Sequence, residues 1–131
     1  MSAANALLAA IHARLSGDAT LAALIGAGGI LDRLLPRPVL PCIVVGGMET
    51  RDYSTATEAG EEHPLTLRCG RSPGRREAEE ISGWVRALLQ DAALVLDGQV
   101  LVSLAHERTR TRRQARMGYF TTGLRFREVT E

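Results

Sequence analysis

Apolar positions in the first part of the chain recur at helical spacing. Leu7, Leu8, Ile11 and Leu15 fall on one face of a helix predicted over 3–15, with Ser2 as its cap. Gly17 and Asp18 interrupt this helix and restart a short apolar one over 19–25, which Gly26, Gly28 and Gly29 stop. Residues 30–35 lead into an extended crossing punctuated by Pro36, Pro38 and Pro41.

The pattern then changes period. Residues 42–45 read as a short apolar strand, and Gly46-Gly47 marks a bulge or a close backbone approach. A polar loop with Ser54, Thr55, Thr57 and Gly60 follows, and a returning strand sets Leu65, Leu67 and Cys69 against Thr66 and Arg68. In a simple hairpin of 42–50 with 61–69, positions summing to 111 pair, which places Cys42 opposite Cys69. Ser72-Pro73-Gly74 opens a second main helix over 75–90. Its predicted core stripe is Ile81, Trp84, Val85, Leu88 and Leu89, with Trp84 as the core's largest anchor and Arg75, Arg76, Glu79 and Glu80 on the wet side. Residues 93–96, Asp97-Gly98 and Val100 onward read as a tight hairpin, since Asp-Gly suits a type I′ turn.

Two alternating runs close the chain. Val100, Val102 and Leu104 alternate with Leu101, Ser103 and Ala105, and Phe120, Leu124 and Phe126 alternate with Tyr119, Arg125 and Arg127. Between them lie Arg108, Arg110, Arg112, Arg113 and Arg116 against Glu107 alone, so five cations and one anion leave the end of a long hairpin at net +4. Such an arm is either a solvated tip or a contact surface. The order α, short α, β, β, α, β, β, β predicts an α+β fold: an antiparallel-rich mixed sheet, two main helices packed on one face, and a long C-terminal hairpin arm.

Length and charge narrow the function. At 131 residues the chain is expected to form one domain, 1–131, with one hydrophobic core. Its net charge of +1 hides an opposing cluster. Glu49, Asp52, Glu58, Glu61 and Glu62 stand against Arg51, five anions and one cation, for a local net of −4. A protein that coats DNA would be basic throughout. The start has no basic leader and no stretch reaches the length of a membrane span, so the expectation is a cytoplasmic protein without membrane partners. Cys42 and Cys69 lack a CxxC or Cys/His context and are expected as two buried thiols.

No residue pattern points to chemistry. Gly26, Gly28 and Gly29 follow a helix instead of a strand and lack the spacing of a phosphate loop. His12, His63 and His106 are scattered, which suits surface or sheet-face histidines better than metal ligands. Ser16, Ser54 and Ser103 have no nucleophile elbow, and Glu79-Glu80 suits pairing with Arg75 and Arg76. The expectation is no enzyme, no catalytic residue, no metal and no cofactor. What remains is interaction: two oppositely charged projections suit a head-to-tail contact between copies, which closes into a ring when the rotation allows. The alternative is a small nucleic-acid-binding α+β module that uses the arginine-rich hairpin beside Tyr119 and Phe120.

A succession of segments carries a family resemblance from Ala6 to Glu131. It runs through A-L-L-A-A-I-H-A-R-L, then P-R-P-V-L-P-C-I-V-V-G, then L-T-L-R-C after a polar loop. The helix A-E-E-I-S-G-W-V-R-A-L-L, the turn V-L-D-G-Q-V-L-V-S-L and the closing strand G-L-R-F-R-E-V-T-E complete it. In this order they resemble the tail terminator (tail completion) proteins of long-tailed phages and gene transfer agents. The resemblance implies a hexameric ring that caps the tail tube, stops its polymerisation and presents a surface to the head connector protein. It further implies that DNA passes through the lumen without specific binding. The place implied is the head–tail junction of a phage-like particle, after assembly in the bacterial cytoplasm. The chain departs from the family at its arm, where a short polar turn is usual and this sequence is dense in arginine. The arm and the acidic stretch are expected to be the subunit or partner interface, with a neighbouring subunit favoured over the tube subunit. A lumen-facing arm is disfavoured, because arginines would grip passing phosphates.

Overall fold

A computed structural model of the chain describes residues 2–131, apart from 27, 33–39, 73, 115 and 117. Helix α1 spans Ala3–Ser16, and its start is set by Ser2, whose hydroxyl accepts from the Asn5 N–H at 3.1 Å. Helix α2 spans Ala19–Ile25 and starts in the same way, with the Asp18 carboxylate accepting from the Leu21 N–H at 2.9 Å. Leu7, Ile11 and Leu15 of α1 and Leu21 and Ile25 of α2 are buried. Strand β1 is only Ile30–Leu31, and the proline-rich crossing at Pro36 and Pro38 lies outside the described residues.

The remaining strands are β2 (Ile43–Met48), β3 (Arg51–Asp52), β4 (Glu61–Ser72), β5 (Leu101–Gln114) and β6 (Tyr119–Thr130), with helix α3 (Arg75–Leu89) between β4 and β5. They form one mixed sheet ordered β1-β2-β4-β6-β5, with β3 paired to β4. Only β1 and β2 run parallel. The α+β class, the helices on one face and the long C-terminal hairpin all stand as the sequence predicts.

Alternation places the core. Leu65 and Leu67 of β4 lie opposite Phe126 and Leu124 of β6, so all four project to the face covered by the helices, where Leu7, Leu15, Ile81 and Leu89 meet them. Cys42 and Cys69 are both buried thiols not joined in a disulfide, and burial pushes the Cys69 thiol well above the ordinary thiol range.

Several expectations fail in detail. The β2–β4 register pairs Val44 with Arg68 and Val45 with Leu67, a sum of 112 in place of 111, so Ile43 and not Cys42 falls in line with Cys69. Met48 pairs with Leu65 because a bulge intervenes at Gly46-Gly47. A side chain at Gly46 would place its Cβ 2.8 Å from the Thr66 carbonyl oxygen, so the bulge and the close approach are one feature.

Trp84 is 39% exposed and is not the core's anchor; Phe126 is. The buried face of α3 is Ala78, Ile81, Ser82, Val85 and Leu89. At about 100° per residue these occupy an arc of about 100°, and Trp84 falls about 60° outside its Ile81 edge.

Residues 93–96 form no strand. The Asp97-Gly98 turn is present, with Gly98 at φ 73°, but only Leu96 and Gln99 bridge across it. Val100 instead exchanges backbone hydrogen bonds of 3.1 and 2.9 Å with Glu131, because the long β6 offers a better partner than a four-residue run.

Candidate subunit interface

Four of the five predicted arginines ride on a continuous strand, and only Arg116 lies beyond it. A register shift between His106 and Arg108 resets the alternation of β5, and from there Arg108, Arg110, Arg112 and Gln114 pair with Arg125, Gly123, Thr121 and Tyr119 of β6. Thr111, one position out of phase, donates its hydroxyl proton to the Glu79 carboxylate of α3. Thr109, Thr111 and Arg113 therefore lie on the helix-covered side, and Arg108, Arg110 and Arg112 on the open side. Glu79 thus partners β5 and not Arg75 of its own helix. Arg113 faces away from its neighbours in sequence, and Arg116 sits in the turn that Gly118 closes at φ 70°.

Two arginines outside the predicted set join the open side. Arg68 of β4 and Arg110 of β5 flank Gly123, and Arg125 stands between Arg108 and Thr66. Together they line a shallow cavity of about 480 Å³ across β4, β6 and β5, walled also by Tyr119 and Thr121. Arginines two residues apart on β5 stand about 6.8 Å apart. Among the described residues Arg125 has one acidic neighbour, Glu107, at 3.5 Å. Arg68 and Arg125 were legible in the sequence as the polar positions between Leu67 and Cys69 and between Leu124 and Phe126. Only the sheet order brings them beside the arm.

The acidic residues divide into those engaged within the chain and those facing outward. Glu49 binds Arg51 at 2.6 Å. Asp52 accepts from the backbone N–H and hydroxyl of Ser54, which hold its carboxyl below the usual range. Glu62 binds Arg127 at 3.1 Å, and that guanidinium, itself stacked 5.1 Å from the Tyr53 ring, lowers the Glu62 pKa. Glu58, Glu61 and Glu131 have no cationic partner among the described residues. Hydrogen bonding and repulsion from Glu58 raise the Glu131 carboxyl above its ordinary value. Along β6, Thr130 opposite Glu61 and Gly123 opposite Arg68 lie seven residues apart, about 24 Å. The sheet thus carries an acidic end and a basic open face.

The other polar groups are structural. His63 is buried, bonded to Thr130 at 2.9 Å and Thr50 at 3.1 Å, and burial lowers its pKa. His106 meets Thr109 at 2.6 Å and the Phe126 ring edge-on, while His12 is exposed. Among the described residues, no three His, Cys, Asp or Glu side chains gather as a metal site, and no single helix is long and apolar enough to cross a membrane. Phe120 lies on the helix-covered side, so a nucleic-acid surface here would have Tyr119 as its only groove aromatic, and Tyr119 is 8% exposed.

The sequence family described as tail completion protein gp17 matches residues 9–131. Among solved structures, a chain in the virion of a native gene transfer agent particle superposes with a TM-score of 0.88 at 31% identity. The match covers 99% of this chain and 98% of that one. No curated protein matches the sequence. With the order of elements reproduced over almost the full length, the chain belongs to the tail completion protein family, the structural proteins of phage-like tails.

Proposed function

We propose that this chain, folding as one domain over 1–131, assembles in the bacterial cytoplasm into a hexameric ring that caps the tail tube. The ring stops tube polymerisation, joins the tail to the head connector protein, and lets DNA pass through its lumen without specific binding. It acts by docking and transforms no substrate. The observation that carries this reading is the full-length match to a chain of the gene transfer agent virion. The opposite charges of the two ends of the sheet support it, because a heterologous contact needs two different complementary patches, and six such contacts close a ring when each turns the next copy by 60°. The expected interface draws on the arm and on the acidic stretch.

Native mass spectrometry of the protein mixed with its tube subunit should give six-fold species. A chain that stays monomeric and never binds tubes overturns the reading. Particles lacking the chain should show tails of uncontrolled length or tails detached from heads in electron micrographs.

A further inference from the structure

The open face of the sheet carries a feature that a ring alone does not explain. Arg108 and Arg125 are direct cross-strand partners, and Arg68 and Arg110 flank a residue with no side chain. Like charges opposite one another weaken a sheet. Among the described residues only Glu107, 3.5 Å from Arg125, offsets them. Such a surface is stable in isolation at a cost, and an anionic occupant removes that cost. The Gly123 position supplies the floor: a Cβ there would meet the Arg110 carbonyl oxygen at 3.8 Å and the Thr66 methyl at 4.0 Å, ordinary van der Waals distances, so between Arg68 and the β5 arginines the floor is backbone with no side chain filling it.

We infer that this groove receives the acidic end of the next copy, with Glu58, Glu61 and Glu131 entering between Arg68 and the arginines of β5. The inference rests on the ring reading and sharpens it in two ways. The receiving residues are Arg68, Arg108, Arg110 and Arg112 on the open face, and not Arg113 or Arg116 at the tip. The entering residues are those of the acidic end that meet no cation among the described residues. Glu49 and Glu62 already hold Arg51 and Arg127, and Asp52 is held by Ser54. A hydrogen bond with Glu58 and, after it, repulsion between the two carboxyls hold the Glu131 carboxyl above its ordinary value, so a counter-charge from outside the copy would favour both in their charged forms. The two patches lie about 24 Å apart on one sheet, too far to meet within a copy and well placed to meet between copies.

Charge reversal in the full-length chain tests this, with assembly on the tube subunit followed by native mass spectrometry. The Arg68→Glu, Arg110→Glu variant should assemble at least tenfold less well than wild type. The Arg113→Glu, Arg116→Glu variant should assemble as wild type does. Adding Glu58→Arg and Glu61→Arg to the groove variant should restore six-fold species, which a misfolded protein would not do. Hexamers unaffected by groove reversal overturn the inference and leave the ring standing, as does equal loss from groove and tip reversal. Binding of a labelled 30-nucleotide single strand that is lost with the groove arginines, while hexamers persist, overturns it in favour of nucleic acid. A wild-type chain that never forms rings on tubes overturns both readings.

Discussion

Glu128 lies at 0% exposure on β6, between His63 and Leu104, and neither of its carboxylate oxygens has a hydrogen-bond partner among the described residues. Burial disfavours the charged form and pushes its pKa up to about 8 from an ordinary 4.5. The folded chain therefore keeps a proton that the unfolded chain would release. Stability is fully present below pH 4.5 on this account and is lost as pH rises through about 8. His63 acts in the opposite sense. Its lowered pKa keeps it neutral in the fold, so its contribution is present above pH 6.5 and lost as pH falls below that value. Thermal melting against pH should give a maximum between the two limbs. Glu128→Gln, which cannot ionise, should flatten the alkaline limb and stabilise the chain by on the order of a few kcal/mol at pH 8. An alkaline limb that is identical in the variant assigns it to another group.

Elements whose signals are local were legible in the sequence; elements set by long-range packing were less so. Ser2 and Asp18 cap α1 and α2 because each bonds an amide three residues on, a relation the sequence itself contains. The β2–β4 register depends on how closely Gly46 approaches Thr66 across the sheet, and no spacing along the chain records that. Gly46→Ala should cost about 1–3 kcal/mol in urea unfolding, because backbone must move to admit the Cβ. Gly47→Ala, with nothing within 4 Å of the added carbon, should stay within about 0.5 kcal/mol of wild type. Trp84 was misplaced for a related reason. Small Ala78 lies near the true centre of the α3 face and polar Ser82 marks its edge away from Trp84, and a reading by hydrophobicity passes over both. Phe126→Ala should cost about 3–5 kcal/mol and Trp84→Ala only about 1. Trp84, the sole tryptophan, should be quenched by iodide in the native monomer. The faces of the arm were hidden for a third reason. Arg-Thr-Arg-Thr-Arg over 108–112 alternates between two polar residues, so a pattern of apolar against polar cannot show it as a strand.

At the scale of the whole molecule, the two charged regions decide how copies meet, and screening provides a measure of how much. The outward-facing groups are exposed, so each pair between copies contributes about 0–1 kcal/mol. Three such pairs together reach at most about 3 kcal/mol, or on the order of a hundredfold in Kd. The screening length falls from about 10 Å at 0.1 M salt to about 3 Å at 1 M, which removes most of that contribution. Apolar area behaves differently. Val100 and Val102 are 61% and 53% exposed, and Val100 is hydrogen-bonded through its backbone to Glu131 at the acidic end, so a contact there would bury surface that salt does not weaken. Raising salt from 0.1 to 1 M should therefore weaken association between copies about tenfold without abolishing it, as read by sedimentation of the ring at matched concentration. A change under twofold would assign the contact to apolar burial and leave the arginine groove without a part in holding it, whereas complete dissociation would leave the valines without one.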